Sequence, residues 1–337
     1  MAEPLLEVRN LKVHFPTDDG LVKAVDGISF KIERGETLGV VGESGSGKSV
    51  TFLTVMGLID RKATRVEGEI RFQGQNLLEL PPEEMQEIRG SRISMIFQDP
   101  MSSLHPYYRV GEQIVEAIRT HQDVSKGEAF KQAVEMLQRV GIPRPEERAR
   151  QFPHEYSGGM RQRAMIAMAL SLNPDLLVAD EPTTALDVTV QAQILQLIAR
   201  LKDEFDASVA VITHDLGVVA EHADDVMVMY AGRVAEYGAR RDVYYQAHHP
   251  YTWGLLQSIT RLDHPKLERL RPIQGLPPSL IFVPPGCPFH PRCPYVMDVC
   301  RVEVPELLSQ DGRHSSACHL PLAEKERIFT EEVAIRS

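Results

Sequence analysis

The residues with the clearest chemical meaning form one short run, GESGSGKS, between an apolar stretch of strand character and an apolar segment with helical spacing. Glycines let backbone N–H groups approach phosphate oxygens, and the dipole of the following helix favours the same negative charge. The lysine would reach the β- and γ-phosphates, and the last serine would ligate Mg²⁺. A glycine-rich turn without function is the alternative, and the flanking strand and helix argue against it. The predicted nucleotide contacts are Gly42, Glu43, Ser44, Gly45, Ser46, Gly47, Lys48, Ser49 and Val50.

A pair of carboxylates, Asp180 and Glu181, ends a second apolar run. A buried parallel strand would deliver both side chains to the carboxyl edge of its sheet, beside the phosphate loop. We expect Asp180 to hold Mg²⁺ and Glu181 to accept a proton from the attacking water or to orient it. A solvated acidic strand end is the alternative reading of this pair.

Another apolar run, ASVAVITHD, carries His214 at its end. An imidazole both donates and accepts hydrogen bonds, so at a strand end it can contact the γ-phosphate and link it to Glu181 or to a partner subunit. A structural histidine is the alternative.

All four cysteines, Cys287, Cys293, Cys300 and Cys318, fall near the C-terminal end of the chain. Clustered thiolates favour zinc or iron and sulfur, and a reducing compartment argues against disulfides. The spacing holds no close C-x-x-C pair, which weakens a zinc-ribbon reading. Zinc, an iron–sulfur cluster and free thiols remain open from the residues alone. The nearby His290, His314 and His319 are interpreted as surface side chains.

The pattern of elements predicts an α/β core with additions. Residues 5–40 alternate like short strands, residues 105–170 have helical periodicity, and strands return near DLLVADE and SVAVITHD. After about residue 240, every cysteine and about half of the 23 prolines appear, so a loop-rich appendage follows. The charged last residues are expected to fray.

The bulk properties exclude some classes of function. A formal charge of −10 gives no electrostatic reason to bind nucleic acid or anionic lipid. No run of about twenty apolar residues is present, nor a signal-like start, so we expect a cytoplasmic chain.

Five motifs follow one another in the order GESGSGKS, FQDP, YSGGMRQR, LLVADEPTTALD and ITHD. Together they resemble the complete motif set of ABC-transporter ATPases over about residues 5–240. The resemblance implies a P-loop NTPase core with an antiparallel β subdomain and a helical insert. It also implies that two such subunits pair head-to-tail around two ATP molecules.

Several residue roles come from this resemblance alone. Gln98 would sense Mg²⁺ and the transmembrane partner, and Phe15 would stack on adenine, although a plain strand residue is the alternative. The signature residues would cover ATP held by the opposite subunit, and a following loop would cross the dimer interface. Tyr156 and Met160 depart from the commoner leucine and glutamine of the signature. The signature residues are Ser157, Gly158 and Gly159, and the loop residues are Ala185, Leu186 and Asp187.

The C-terminal part, with HHPYTWGLLQSI, GLPPSL and GCPFHPRCPYVMDVC, resembles the same region of the dipeptide and oligopeptide permease ATPases, with the dipeptide type the closest. This resemblance implies a [4Fe–4S] cluster on the four cysteines. It also implies a different second ATPase subunit, two transmembrane permease subunits and an extracytoplasmic peptide-binding protein. The chain would then lie on the cytoplasmic face of the inner membrane.

These observations predict an ATPase domain at residues 1–240 with its helical subdomain at about 99–170. A permease-type region with the cluster motif would follow at 241–322, and a tail at 323–337. The predicted function is ATP hydrolysis that drives uptake of dipeptides or short oligopeptides. An importer of nickel or another small solute, a soluble ABC-type ATPase acting on nucleic acid, and a regulatory module that binds ATP without turnover are the alternatives.

Overall fold

The structure, a computed structural model, describes residues 3–99, 103–184, 186–258, 273–309 and 314–334. These residues divide into two compact units. The first consists mainly of Asn76–Ile212, with Ile32–Glu36 and the residues up to Leu5. The second consists of described residues within Leu6–Lys31, Thr37–Gln75 and Thr213–Ser337. Across the described ranges, no helix combines the length and the apolar character that a membrane span requires.

Most elements are short. The strands, β1 to β12 in chain order, are Leu6–Thr17, Gly20–Ile32, Thr37–Val41, Arg65–Phe72, Gln75–Asn76, Ile93–Ile96, Leu176–Asp180, Ser208–Thr213, Asp225–Tyr230, Arg233–Ala239, Leu308–Ser309 and Ser315–Ser316. The α-helices, α1 to α11, are Lys48–Val55, Pro82–Ile88, Val110–His121, Lys126–Arg139, Pro145–Ala149, Gly158–Leu170, Val188–Phe205, Leu216–His222, Arg240–Tyr245, Pro250–Gln257 and Leu322–Ile328. Short 3₁₀ turns lie at Pro153–Glu155 and Asp298–Arg301, and a π-helix at Phe329–Val333.

The first unit contains a parallel sheet in which β7 lies between β6 and β8. Leu176 of β7 pairs with Ile93 on one side and with Ser208 on the other. All residues of these three strands are buried, as expected for parallel strands covered on both faces. Because parallel strands end at one edge, β6 and β7 direct the residues that follow them toward the same side of the unit.

The helices predicted between residues 105 and 170 are α3 to α6. Helix α4 begins with a capping box, in which the Ser125 hydroxyl accepts the Glu128 N–H at 3.3 Å and the Glu128 carboxylate accepts the Ser125 N–H at 3.0 Å. Helix α3 buries Val110, Ile114 and Ile118 on one face. Packing of α4 on α6 fixes the helix that follows the signature motif.

The second unit contains two sets of strands. An antiparallel sheet has the order β2–β1–β4–β5, with Leu6 opposite Phe72 and His14 opposite Arg65. Strand β3 pairs in parallel with β9, and β9 continues into the antiparallel neighbour β10, where Arg233 lies opposite Tyr230. The short strands β12 and β11 then extend β10 outward.

The end of the chain is more ordered than its charge suggests. The described residues beyond 240 form short elements, in line with the proline density. The expectation of a frayed tail is wrong for the described part of it, because Ile328, Phe329 and Val333 are buried in one cluster with Trp253. Burial of these three apolar side chains holds the segment in place despite its many charges.

Candidate ATP-binding and hydrolysis site

The phosphate loop joins the buried strand β3 to helix α1 within the second unit. Gly42 and Gly47 have φ values of 151° and 102°, which favour glycine. A Cβ at Gly42 would lie 2.2 Å from the Met229 carbonyl oxygen, and one at Gly47 would lie 2.3 Å from that of Ala24. The backbone is therefore too close to its neighbours for any side chain at either position.

Lys48 is buried and its ammonium group points back into the loop. Nζ donates to the Gly42 carbonyl at 2.7 Å and to the Glu43 carbonyl at 3.0 Å, and it lies 3.5 Å from the Ser46 hydroxyl. Ser49 is half-buried in the first turn of α1. The loop thus places one cation and the N-terminus of a helix where phosphate oxygens can bind.

Glu43, the second residue of the loop, contacts residues that no local pattern could predict. The Glu43 carboxylate accepts two hydrogen bonds from the Arg292 guanidinium, at 2.6 and 2.9 Å. The Glu43 backbone N–H donates to the Tyr251 hydroxyl at 2.8 Å. Both partners belong to the C-terminal region, and the arginine is 249 residues away in sequence. No motif or periodicity connects positions so distant.

The acidic pair ends strand β7 in the first unit. Asp180 is buried, and Glu181 has a φ of 45°, an unusual value for a residue with a side chain. The Glu181 carboxylate accepts hydrogen bonds from the Gln98 amide at 3.0 Å and from the Thr184 hydroxyl at 2.8 Å. The structure therefore brings the predicted glutamine and the predicted base into direct contact, and the Glu181 N–H is held by the Ile212 carbonyl at 2.8 Å.

The signature residues lie at the start of helix α6. The Ser157 hydroxyl caps the helix by accepting the Met160 N–H at 3.3 Å, and Ser157 and Gly158 are exposed. The unusual Tyr156 is buried, and its hydroxyl donates to the Arg148 carbonyl at 2.9 Å. Burial raises the pKa of Tyr156 to about 12. Tyrosine here fills the core of the helical region and leaves the serine and glycine free to face outward.

The Gln191 side chain binds the loop that follows the acidic pair. The Gln191 amide donates to the carbonyls of Thr183 and Leu186, both at 3.2 Å. Asp187 caps helix α7 by accepting the Val190 N–H at 3.0 Å. Ala185 lies outside the described residues.

Three other predicted residues have less definite surroundings. Phe15 on β1 and Val50 on α1 are half-buried, and His214 is exposed directly after β8. The assigned roles of all three in nucleotide binding or hydrolysis stay predictions.

The four cysteines form no disulfide and line one narrow cavity. The Cys287 N–H donates to the Cys300 carbonyl at 2.9 Å, which joins two of the thiol-bearing segments. Burial raises the pKa of the Cys287 thiol to about 11 and that of Cys293 to about 12, and it also raises the pKa of Cys318. Buried thiols of this kind stay protonated unless a cation stabilises the thiolate.

A polar network next to this region was not anticipated. Glu236 is fully buried, and its carboxylate accepts the backbone N–H groups of His248 and His249 and a 2.7 Å hydrogen bond from His314 Nε2. The interpretation of His314 as a surface residue is therefore wrong, because it is buried and stacks on the His248 ring at 4.2 Å.

The ligating atoms of Glu236, His248 and His314 lie within 4.8 Å of one another, but the direct 2.7 Å contact between Glu236 and His314 indicates a hydrogen bond rather than metal ligation. His319, by contrast, donates to the Glu303 carbonyl at 3.0 Å from a half-buried position.

Comparison with known proteins supports this interpretation of the motifs. Residues 25–184 match the ABC transporter family, and residues 235–300 match the oligopeptide/dipeptide transporter C-terminal region. The chain is 53% identical to the oligopeptide transport ATP-binding protein OppD of Salmonella typhimurium, over 96% of each chain. It is also 53% identical to the dipeptide transport ATP-binding protein DppD of Bacillus subtilis, over 94% of this chain and 95% of the relative.

A solved ATP-binding cassette, a dimer in a post-hydrolysis state with ADP and Pi, has a TM-score of 0.63 and 28% identity. The match covers 70% of this chain and 99% of the chain of the solved structure. The predicted fold class, a P-loop ABC ATPase with an antiparallel sheet, is confirmed, and so is the predicted family. The chain belongs to the ATP-binding proteins of ABC transporters, ATPases whose hydrolysis is coupled to transport, and it carries the C-terminal region of the oligopeptide and dipeptide branch.

Proposed function

We propose that this chain energises the import of dipeptides or short oligopeptides across the cytoplasmic membrane. The observation that carries the proposal is the presence of a full ABC ATPase motif set and the peptide-transporter C-terminal region on one chain. The names of full-length relatives with about half of their residues identical, oligopeptide and dipeptide transport ATP-binding proteins, support the substrate class.

We assign hydrolysis to the residues that the motifs predict. The loop amides and Lys48 would bind the β- and γ-phosphates, and Ser49, Gln98 and Asp180 would hold Mg²⁺, which neutralises charge on the phosphates. Glu181 would accept the proton of the attacking water. Its hydrogen bonds to Gln98 and Thr184 support this role, because both donors are side chains that can exchange for a water molecule. His214 would position the γ-phosphate, and Phe15 would contact adenine.

A second ATPase subunit completes the proposed mechanism. The exposed Ser157 and Gly158, with Gly159, begin a helix whose N-terminal amides favour an anion. They would cover ATP bound to the other subunit, which we take to be a different chain. The solved cassette that resembles this fold is itself described as a dimer.

A groove in the first unit suits the transmembrane partners. It has a volume of about 550 Å³ and is lined mainly by apolar side chains from β6, α3 and α6, among them Met95, Phe97, Met165 and Met168. Phe97, 39% exposed, is the neighbour of Gln98, so a helix seated in the groove would lie next to the hydrolytic residues. We assign this groove to a cytoplasmic helix of a permease subunit. Two permease subunits and an extracytoplasmic peptide-binding protein would complete the transporter and place this chain on the inner face of the membrane.

The four cysteines are proposed to hold a [4Fe–4S] cluster. Four soft sulfur donors line one cavity, which is the ligand type of an iron–sulfur cluster, and the resemblance of this region to the peptide permease ATPases favours a cluster over zinc. The buried Lys325 adds positive charge beside Cys318. The cluster would tie together a segment too rich in proline to fold by apolar burial alone.

Transport is tested with the reconstituted transporter. ATP hydrolysis should rise when the binding protein is loaded with di- or tripeptides, and Glu181→Gln should abolish that rise while leaving ATP binding intact. Stimulation by a nickel-loaded binding protein, with no response to peptides, would contradict the substrate class.

The cluster is tested separately by anaerobic purification. We expect a brown protein with about four iron atoms per chain and loss of colour in Cys293→Ser. Stoichiometric zinc without iron would overturn the assignment.

A further inference from the structure

Arg292 and Glu43 form a bidentate ion pair between a buried arginine and a partly buried glutamate. Its two N–O distances are 2.6 and 2.9 Å, and the arginine side chain is only 5% exposed. The fork of a guanidinium matches a carboxylate in this geometry and fixes its orientation as well as its charge. The pair therefore holds the side chain of the second phosphate-loop residue in one position.

Aromatic residues make this position rigid. The Tyr230 hydroxyl lies 3.3 Å from Arg292 Nη1, and the Tyr230 ring packs against Tyr251 at 4.6 Å and Phe289 at 5.2 Å. The Tyr251 hydroxyl holds the backbone N–H of Glu43. Glu43 is thus fixed through both its backbone and its side chain by residues that lie outside the phosphate loop.

Arg292 lies on the segment that also carries the cysteines. The Arg292 N–H donates to the Phe289 carbonyl at 3.0 Å, and the Cys293 N–H bonds the His290 carbonyl at 3.4 Å. The guanidinium is also anchored to the neighbouring loop, since Arg292 Nε donates to the Gln274 carbonyl at 3.0 Å. Arg292 therefore lies in a segment of successive hydrogen-bonded turns, which restrict the position of its backbone.

A carboxylate inside a phosphate-binding loop presents an electrostatic problem. The ligand carries several negative charges, and a like charge nearby in a medium of reduced polarity opposes its binding. The positive guanidinium of Arg292 compensates the charge of the Glu43 carboxylate and binds both of its oxygens. Lys48, the cation of the loop, then faces a ligand without competition from this carboxylate.

We propose that Arg292 is a positioning residue for ATP binding, which neutralises and restrains Glu43 so that the phosphate loop can accept the triphosphate. The C-terminal region of this family would in this way contribute to the nucleotide site of its own subunit. The inference depends on the ATP-binding activity of the family and not on the peptide substrate or on a cluster.

The test is a double-mutant cycle on the full-length chain, with the dissociation constant of a fluorescent ATP analogue with Mg²⁺ as the readout. Arg292→Ala should raise that constant roughly tenfold at low salt, since an uncompensated like charge then lies close to the phosphates. The effect should shrink as salt screens the charge. Glu43→Gln should bind more tightly than the parent, because it removes a negative charge from the loop, and Glu43→Gln/Arg292→Ala should recover most of the affinity that Arg292→Ala loses.

Two further variants separate charge from fold. Arg292→Lys, which keeps the charge but loses the fork, should bind ATP better than Arg292→Ala. Arg327→Ala removes an exposed arginine of the same unit, paired to Glu331 at 2.8 Å, and should leave binding unchanged. In the assembled transporter, Arg292→Ala should raise the KM for ATP and leave kcat at saturating ATP near that of the parent.

The double variant decides the question even where Arg292→Ala fails to fold, because it removes both charges of the pair together. A double variant that folds but binds the ATP analogue clearly more weakly than the parent would overturn the proposal. An unchanged affinity in a folded Arg292→Ala would do so as well.

Discussion

Glu181 and Glu236 are both held by hydrogen bonds at strands, yet their surroundings differ in kind. Glu181 follows β7, is partly exposed, and is bound through its carboxylate by two side chains, Gln98 and Thr184. Glu236 lies inside β10, is completely buried, and is bound by two backbone N–H groups and by the His314 imidazole.

The difference separates a carboxylate suited to chemistry from one suited to structure. Side-chain donors can rotate away and admit water, so Glu181 can change partners during a reaction. Backbone donors cannot leave without unfolding the segment, and a buried charge without them is costly. We therefore expect changes at the first site to affect turnover and changes at the second to affect folding.

The largest expected effect is on hydrolysis at the first site. Glu181→Gln should lower kcat in the assembled transporter by roughly 10²–10⁴-fold, the usual contribution of a general base. Its unfolding free energy should change by less than about 1 kcal/mol, because the site is partly exposed. Phosphate release and urea unfolding measure the two quantities, with Glu204→Gln on α7 as the control. Hydrolysis at the parental rate would show that Glu181 is not the base.

The next largest effect is a loss of stability on substitution of Glu236. Glu236→Gln should lower the unfolding free energy by about 3 kcal/mol, because an amide cannot accept all the hydrogen bonds that converge on this carboxylate. Denaturant unfolding of the purified chain measures it, and the exposed Glu303→Gln is the matched control. Equal midpoints for the two variants would remove the contrast between the two glutamates.

The stability of the protein should depend on pH through His249, which lies beside Glu236. Burial lowers the pKa of His249 to about 4, although the Glu236 carboxylate and a hydrogen bond to the Ala317 backbone oppose the shift and Lys325 adds to it. Between pH 6.5 and 4 the unfolded chain therefore binds a proton that the native chain does not, and stability falls as pH falls. The loss at pH 5 should be about 2 kcal/mol.

His249→Asn isolates this contribution. Nδ1 of His249 accepts the Tyr251 N–H at 3.0 Å at the start of α10, and an asparagine oxygen can take over the cap. The stability of the variant should depend less on pH between 7 and 5 than that of the parent. Parallel curves for the two proteins would exclude His249 as the source.

The smallest effect is expected at Tyr156, the one substituted signature residue with a buried polar group. Tyr156→Phe removes the hydrogen bond to the Arg148 carbonyl and should cost about 1 kcal/mol of stability. ATP hydrolysis by the assembled transporter should not change, because the hydroxyl points into the helical region. A clear fall in kcat without loss of stability would show that Tyr156 contributes to the composite site.

Local sequence predicted most of the elements around Glu181 and the signature motif. The order of motifs, the buried strand before the acidic pair and the capping serine of α6 are all encoded within a few residues, because strand burial and helix capping are short-range properties. The contact of Gln98 with Glu181 was not predicted, and it arises because β6 and β7 are parallel neighbours that end at one edge. Their chemical roles, in contrast, came from resemblance to a family.

Long-range packing decided what local sequence left open. The sequence by itself determined which residues can bind phosphate and where the chain forms strands and helices. Only the tertiary structure placed Arg292 on Glu43, 249 residues away, and His314 on Glu236, 78 residues away. A buried charge needs a partner, but its position is set by how distant segments pack, and no periodicity in the sequence records that choice.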